Sequence, residues 1–288
     1  MVTLKNDKMT VEILEFGAEM QSITAADGTA YLWHGDPQYW AGRAPVLFPN
    51  CGRMRIGERN GVYTYQGKEY EMAIHGFAKF YDFEVESLTE TEVVFFLKDN
   101  EETLKSWPFA FEFRVRYALD GDRIVVSYSI YNPSETETML ASVGSHEAFV
   151  CPEGLEAYDV VFEKEEPLNA HYVGNGISHD TYPVEAPGGV LPLKDEYFTI
   201  DALLFHHLES KEVSVKNRKT GRGVTVNFEG IETLLIWTKP GAPFVCIEPW
   251  CGFPCWEDGD GSLENKEGIR RIAPKDTYNA RHVITLLS

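Results

Sequence analysis

An all-β fold is what this sequence predicts, and three observations carry the prediction. Apolar residues recur at every second position, turn-forming residues separate those runs, and the 3.6-residue period of helices is nearly absent. Aromatic residues form 13% of the 288, with six Trp and fourteen Tyr, which suits a pleated surface.

Taken in order, the first clear strand is 62–65, closed by Tyr65-Gln66-Gly67, and 92–97 is the second. A short helix is predicted after Asn100, with Glu101 and Glu102 in its first turn and Pro108 beyond its end. Gln38 to Gly42 reads as one more helical turn. In 111–117, Phe111, Phe113, Val115 and Tyr117 face one way, while Glu112, Arg114 and Arg116 face the other. Asp120-Gly121 then turns the chain into the strand 123–131, a hairpin signal. Further runs follow at 139–143, 213–216, 224–228, 233–238, 244–247 and 283–287, separated by turn chemistry such as Asn132-Pro133, Lys219-Thr220-Gly221 and Lys239-Pro240-Gly241. So many antiparallel strands must stack or close to protect their edges, which predicts a large β-sandwich.

No repeat, low-complexity linker or Pro/Gly-rich break divides the chain, so residues 1–288 are expected to form a single domain. The net charge of −19 disfavours nucleic acid and anionic lipid as partners. A neutral small molecule remains compatible with it. No run approaches the roughly 18 apolar residues of a membrane span, and the N-terminus lacks a signal-peptide core. A cytoplasmic location is therefore expected. Five cysteines, an odd number in a chain of this length, argue against a disulfide framework.

Titratable residues interrupt the apolar pattern in four segments: PVLFPNCGR (45–53), IHGF (74–77), SHEAF (145–149) and IEPW (247–250). Glu248 continues an apolar face with Phe244 and Cys246, where a carboxylate is costly unless paired or raised in pKa. Pro249 is expected to end the ladder, which leaves Glu248 at a strand end as a functional carboxylate or as a rim residue bonded to a turn. His146 shares parity with Ser142, Gly144 and Ala148, small neighbours that leave room for a ligand; a core-satisfied histidine fits the pattern too. His75 precedes Gly76, which permits close approach of another backbone or a ligand; a loop histidine is the plain alternative. Arg53, after Gly52, reads alone as a surface arginine.

In this order the four segments resemble the aldose 1-epimerase family, specifically its bacterial branch with the patterns P-x-L-F-P-x-x-G-R, H-G-F-A, G/N-x-H-x-A-F and E-P-W-x-G. Trp33-His34-Gly35-Asp36, Tyr39-Trp40 and Asp201-Ala202-Leu203 after Leu191-Pro192-Leu193 also fit, and the likeness runs from Trp33 to the C-terminus. The resemblance implies a galactose mutarotase-like β-supersandwich that interconverts the α and β anomers of a free aldose. It implies His146 as acid at the ring oxygen, Glu248 as base at the C1 hydroxyl, and His75 with Arg53 on the oxygens near C1. Asp201 would hold hydroxyls, and an exposed Trp250 would pack on a sugar face, with core or rim packing as its plainer reading. This chemistry needs no cofactor and no metal. The partner expected is a small sugar, and the chain is expected to act as a monomer or homodimer. Gly-Ser-His-Glu-Ala-Phe departs from the branch, which often has Asn and Pro around the histidine. Met72, Ala73 and Ile74 before His75 disfavour a 6-phosphate, although Arg55 and Arg59 leave a hexose-6-phosphate reading open. Sugar binding without turnover, and glycoside cleavage by Glu248 with a second carboxylate, are further alternatives.

Other signals carry less. Cys251 and Cys255 have the wrong spacing for a dithiol site, and Cys246, Cys251 and Cys255 fit a zinc set poorly. Ser145-His146-Glu147 is no triad, because adjacent strand residues point to opposite faces. His206-His207 reads as a solvated pair.

Overall fold

A computed structural model describes residues 1–288. Alternation builds the larger of two main sheets. In Arg123–Tyr131 the residues Ile124, Val126, Tyr128 and Ile130 are buried, and their neighbours face outward. The partner strand Glu112–Asp120 buries Phe113, Val115 and Tyr117 in the same way, and the two join at Gly121-Asp122. Nine strands in all make up this sheet, from Val190–Pro192 at one edge to Glu84–Leu88 at the other, with Thr277–Leu287 in the middle.

The second sheet has seven strands. Its centre is Phe244–Cys251, buried at every position. Val143–Gly144 and Glu147–Val150 pair on one side of it and Thr233–Trp237 on the other. Leu203–His206, Leu168–Gly174 and Gly176–Val184 extend the sheet. Side chains from both sheets share one core, in which Val115, Val126 and Ile284 meet Leu203, Ile236 and Ile247. The only α-helix, Glu101–Ser106, starts where predicted, with the Asn100 side chain accepting from the Glu102 and Thr103 amides. No helix is long and apolar enough to cross a membrane.

Two local expectations fail. Gln38 to Gly42 forms no helix. The Asp36 side chain accepts from the Gln38 amide, and the Tyr39 and Trp40 amides donate to the Asp36 carbonyl, so the segment is a turn built on Asp36. Pro249 does not end its strand, which runs on to Cys251. A proline leaves the facing carbonyl, that of Ser145, without a backbone donor. The Trp250 indole Nε1–H supplies that bond at 3.0 Å, so the ladder survives the proline. Glu248 therefore sits inside a central strand rather than at a rim.

Candidate functional site

The register of the seven-stranded sheet assembles the site. Gly144 pairs with Trp250 and Glu147 with Ile247, so the antiparallel register sets His146 opposite Glu248. Directly opposed residues of an antiparallel pair face the same way. His146 Nε2 and Glu248 Oε2 lie 3.4 Å apart. On the next strand Leu235 opposes Glu248, and Leu204 opposes Leu235. These residues floor a cavity of about 400 Å3, walled by Arg53, His75, Lys79, Asp201, Trp40 and Trp237 among others. Glu147 points the other way, into the core, where His282 Nε2 lies 2.9 Å from its Oε1. The opposite facing of adjacent strand residues thus holds for His146 and Glu147.

His75 reaches the cavity from a tight loop. It has a positive φ of 65°, as does Gly76 at 76°. A Cβ on Gly76 would lie 2.2 Å from the Phe48 carbonyl oxygen, so the close approach expected at this glycine is to backbone. The His75 amide donates to the Gly52 carbonyl at 2.8 Å, and the Gly52 amide donates to His75 Nδ1 at 3.1 Å. With Nδ1 accepting, the ring proton of neutral His75 resides on Nε2. The His75 ring meets His146 edge-on at 5.5 Å and Trp250 at 5.3 Å.

Burial dominates the electrostatics. It pushes the His146 imidazole down to about 3. His75 is held well below the ordinary histidine range by burial, with the charge of a protonated His146 and those of Lys79 and Arg53 adding to the effect. Glu248, 2% exposed, is pushed well above the carboxylate range by burial and then by the charges of Asp201 and Glu147. Asp201 is more open to solvent, yet burial still raises its carboxyl, opposed by the Ala202 amide and Arg53. The site thus places a neutral imidazole against a carboxyl that favours its protonated form.

All six residues singled out in the sequence line this one cavity. Trp250 does so differently from the expectation. It is 2% exposed and locked by its bond to Ser145, because the ladder needs its N–H. The space expected beside His146 is also used differently. A Cβ on Gly144 would lie 2.7 Å from the Trp250 ring, so that gap holds tryptophan. His206 is no solvated residue. It is half-buried, with Nδ1 2.9 Å from Thr233 Oγ1, and burial pushes it down to about 4.

Three wall residues, Trp40 among them although its segment fits the family pattern, have no site role in the sequence reading. The Trp40 ring stacks on His146 at 4.8 Å, and Trp237 meets it edge-on at 5.6 Å. Lys79 Nζ donates to the Ile74 carbonyl at 2.9 Å, tying down the loop that carries His75. The spacing H-G-F-A-K was the available signal for Lys79. Arg55 reaches the wall, but its guanidinium is committed to the carbonyls of Gly57 and Asn175. Arg59 is paired with Glu69 and lies outside the wall. All five cysteines are free thiols.

The architecture is the galactose mutarotase-like fold. A galactose mutarotase related enzyme from Lactobacillus acidophilus superposes with a TM-score of 0.92 at 33% identity, over 100% of this chain and 97% of that one. A galactose mutarotase-like protein from Lactobacillus casei does so with a TM-score of 0.90 at 28% identity, covering both chains completely. The family model described as aldose 1-epimerase matches residues 1–256, and the chain belongs to that family. Protein LacX of Lactococcus lactis subsp. lactis, in its chromosomal and plasmid forms, is 33% identical to it, covering 100% of this chain and 99% of the relative.

Proposed function

We propose that this protein is an aldose 1-epimerase that interconverts the α and β anomers of a free aldose. The observation that carries the reading is the cross-strand pair of His146 and Glu248, 3.4 Å apart on the floor of a sugar-sized cavity. Ring opening of a cyclic hemiacetal needs one proton removed from the C1 hydroxyl and one delivered to the ring oxygen. Glu248 takes the first and His146 Nε2 delivers the second, while the bond from C1 to the ring oxygen breaks and the carbonyl forms. Rotation about C1–C2 presents the other carbonyl face, and closure returns both protons along the same path.

The electrostatics weigh against the starting state of this exchange and favour its product state. Opening starts from protonated His146 and ionised Glu248 and ends with neutral His146 and protonated Glu248. Burial favours the second distribution in the free protein. The two differ only in which member of the pair holds the proton, so the pair's total proton count is unchanged through a turnover. His75 would donate from Nε2 to an oxygen near C1, because its Nδ1 is occupied by the Gly52 amide. Arg53 makes no side-chain bond within the protein in this structure and would bind hydroxyls together with Asp201. With Arg55 and Arg59 committed elsewhere, a neutral aldose fits better than a hexose 6-phosphate.

Polarimetry on freshly dissolved α-glucose, α-galactose and other free aldoses tests the reading. The expected result is acceleration over buffer. Rates equal to buffer across the whole panel would reject it.

A further inference from the structure

Cys246 has no part in the acid–base scheme, yet it lies against it. It shares a strand face with Glu248 two residues away, and it opposes Ala148 as His146 opposes Glu248. Ala148 is too small to screen the sulfur from the pair. One ligand atom from each of His146, Cys246 and Glu248 lies within 4.8 Å of the other two. His146 is 9% exposed, and its Nδ1 has no hydrogen-bond partner. Trp40 and Trp237 hold the ring by packing, and its Nδ1 is left without a polar partner.

We propose that His146, Cys246 and Glu248 form a three-ligand site for a zinc-class divalent cation, and that the cation and a sugar exclude one another there. A nitrogen, a thiolate and a carboxylate suit zinc, whose bonds run about 2.0–2.3 Å, and three protein ligands leave a fourth position open. His146 and Glu248 line the cavity, whereas Cys246 is fully buried beside them. A tetrahedral set at those bond lengths needs its ligand atoms roughly 3.3–3.8 Å apart; the His146–Glu248 separation of 3.4 Å already meets this. The thiol must close in by the remainder. Metal binding requires a neutral imidazole, a thiolate and a carboxylate. Cys246 gives up its thiol proton, and Glu248 gives up its carboxyl proton when it carries one. Both protons pass to solvent, so affinity rises with pH. Cys251 points to the opposite face of the strand, and Cys255 lines the cavity but is not among the ligand atoms that cluster with His146 and Glu248.

The test is titration of the full chain with Co2+ followed by absorbance, then displacement with Zn2+. The readout is independent of any sugar turnover, so failure here is distinct from failure of the epimerase reading. One equivalent should bind, with tetrahedral cobalt bands and a thiolate charge-transfer band. Cys246→Ser should remove the thiolate band and Cys255→Ser should leave it. Glu248→Gln and His146→Gln should each weaken binding by about tenfold or more. Absence of stoichiometric binding overturns the proposal, as does a thiolate band that survives Cys246→Ser. If Cys246→Ser does not fold, affinity unchanged in both Glu248→Gln and His146→Gln overturns it instead.

Discussion

Replacing Glu248 by Gln separates what the carboxyl does for chemistry from what it costs the fold. The side chain is 2% exposed and faces the charges of Asp201 and Glu147. Its folded pKa is raised, so the unfolded chain releases this proton more readily than the folded one. Stability therefore falls as pH rises from the ordinary carboxylate value of 4.5 through the elevated folded one, and the penalty is complete above that. Glutamine keeps the shape and carries no charge. Glu248→Gln should therefore be the more stable protein at neutral pH, by on the order of 1 kcal/mol, or about 2–4 °C in Tm. The gain should vanish below about pH 4. Mutarotation should fall by about 10²–10⁴, the usual contribution of one acid–base group. Thermal melts at pH 4 and pH 7, paired with polarimetry at pH 7, measure both effects. A variant that melts lower than wild type at neutral pH, or that turns over at the wild-type rate, refutes the reasoning.

Three further outcomes follow from the same geometry. Gly76→Ala combines a positive φ, which costs an L-residue roughly 1–2 kcal/mol, with a Cβ 2.2 Å from the Phe48 oxygen. Its Tm should drop by at least about 4 °C and its KM should rise as His75 shifts, and melting with sugar saturation curves checks both. Trp250→Phe leaves the Ser145 carbonyl buried without a donor and should cost about 1–3 kcal/mol, read by urea unfolding. His146 has a depressed folded pKa, so its contribution to stability is present above pH 6.5 and is lost as pH falls toward about 3. The loss runs at up to roughly 1.4 kcal/mol per pH unit. His146→Asn should remove this rise with pH and leave the opposing fall from Glu248 above pH 4.5, and an unchanged slope would contradict the assignment.

The strands were legible because each buries one face, and burial leaves a period of two in the residues, as in 111–117 and 123–131. The helix after Asn100 was legible from its cap. What failed did so where a distant residue overrides a local rule. Pro249 looks like a strand end until Trp250 is seen supplying Ser145 with the missing bond. Gly144 looks like room for a ligand until the same indole is seen filling it. His206 looks solvated until Thr233 and Phe253 close on it. At the site, the residue types were readable singly, but their convergence depends on cross-strand register, which no local pattern encodes. Trp40 and Trp237 went unassigned for that reason, since aromatic residues at strand ends and turns look alike whether they cover a core or a histidine.

The central claim is that His146 and Glu248 address the two oxygens of an anomeric centre. A crystal structure with a bound aldose tests it most directly. The account predicts the C1 hydroxyl within about 3.2 Å of a Glu248 oxygen and the ring oxygen at the same range from His146 Nε2, with His75 Nε2 directed at an oxygen near C1. A sugar bound with its C4 or C6 end toward Glu248, and C1 toward solvent, would contradict it.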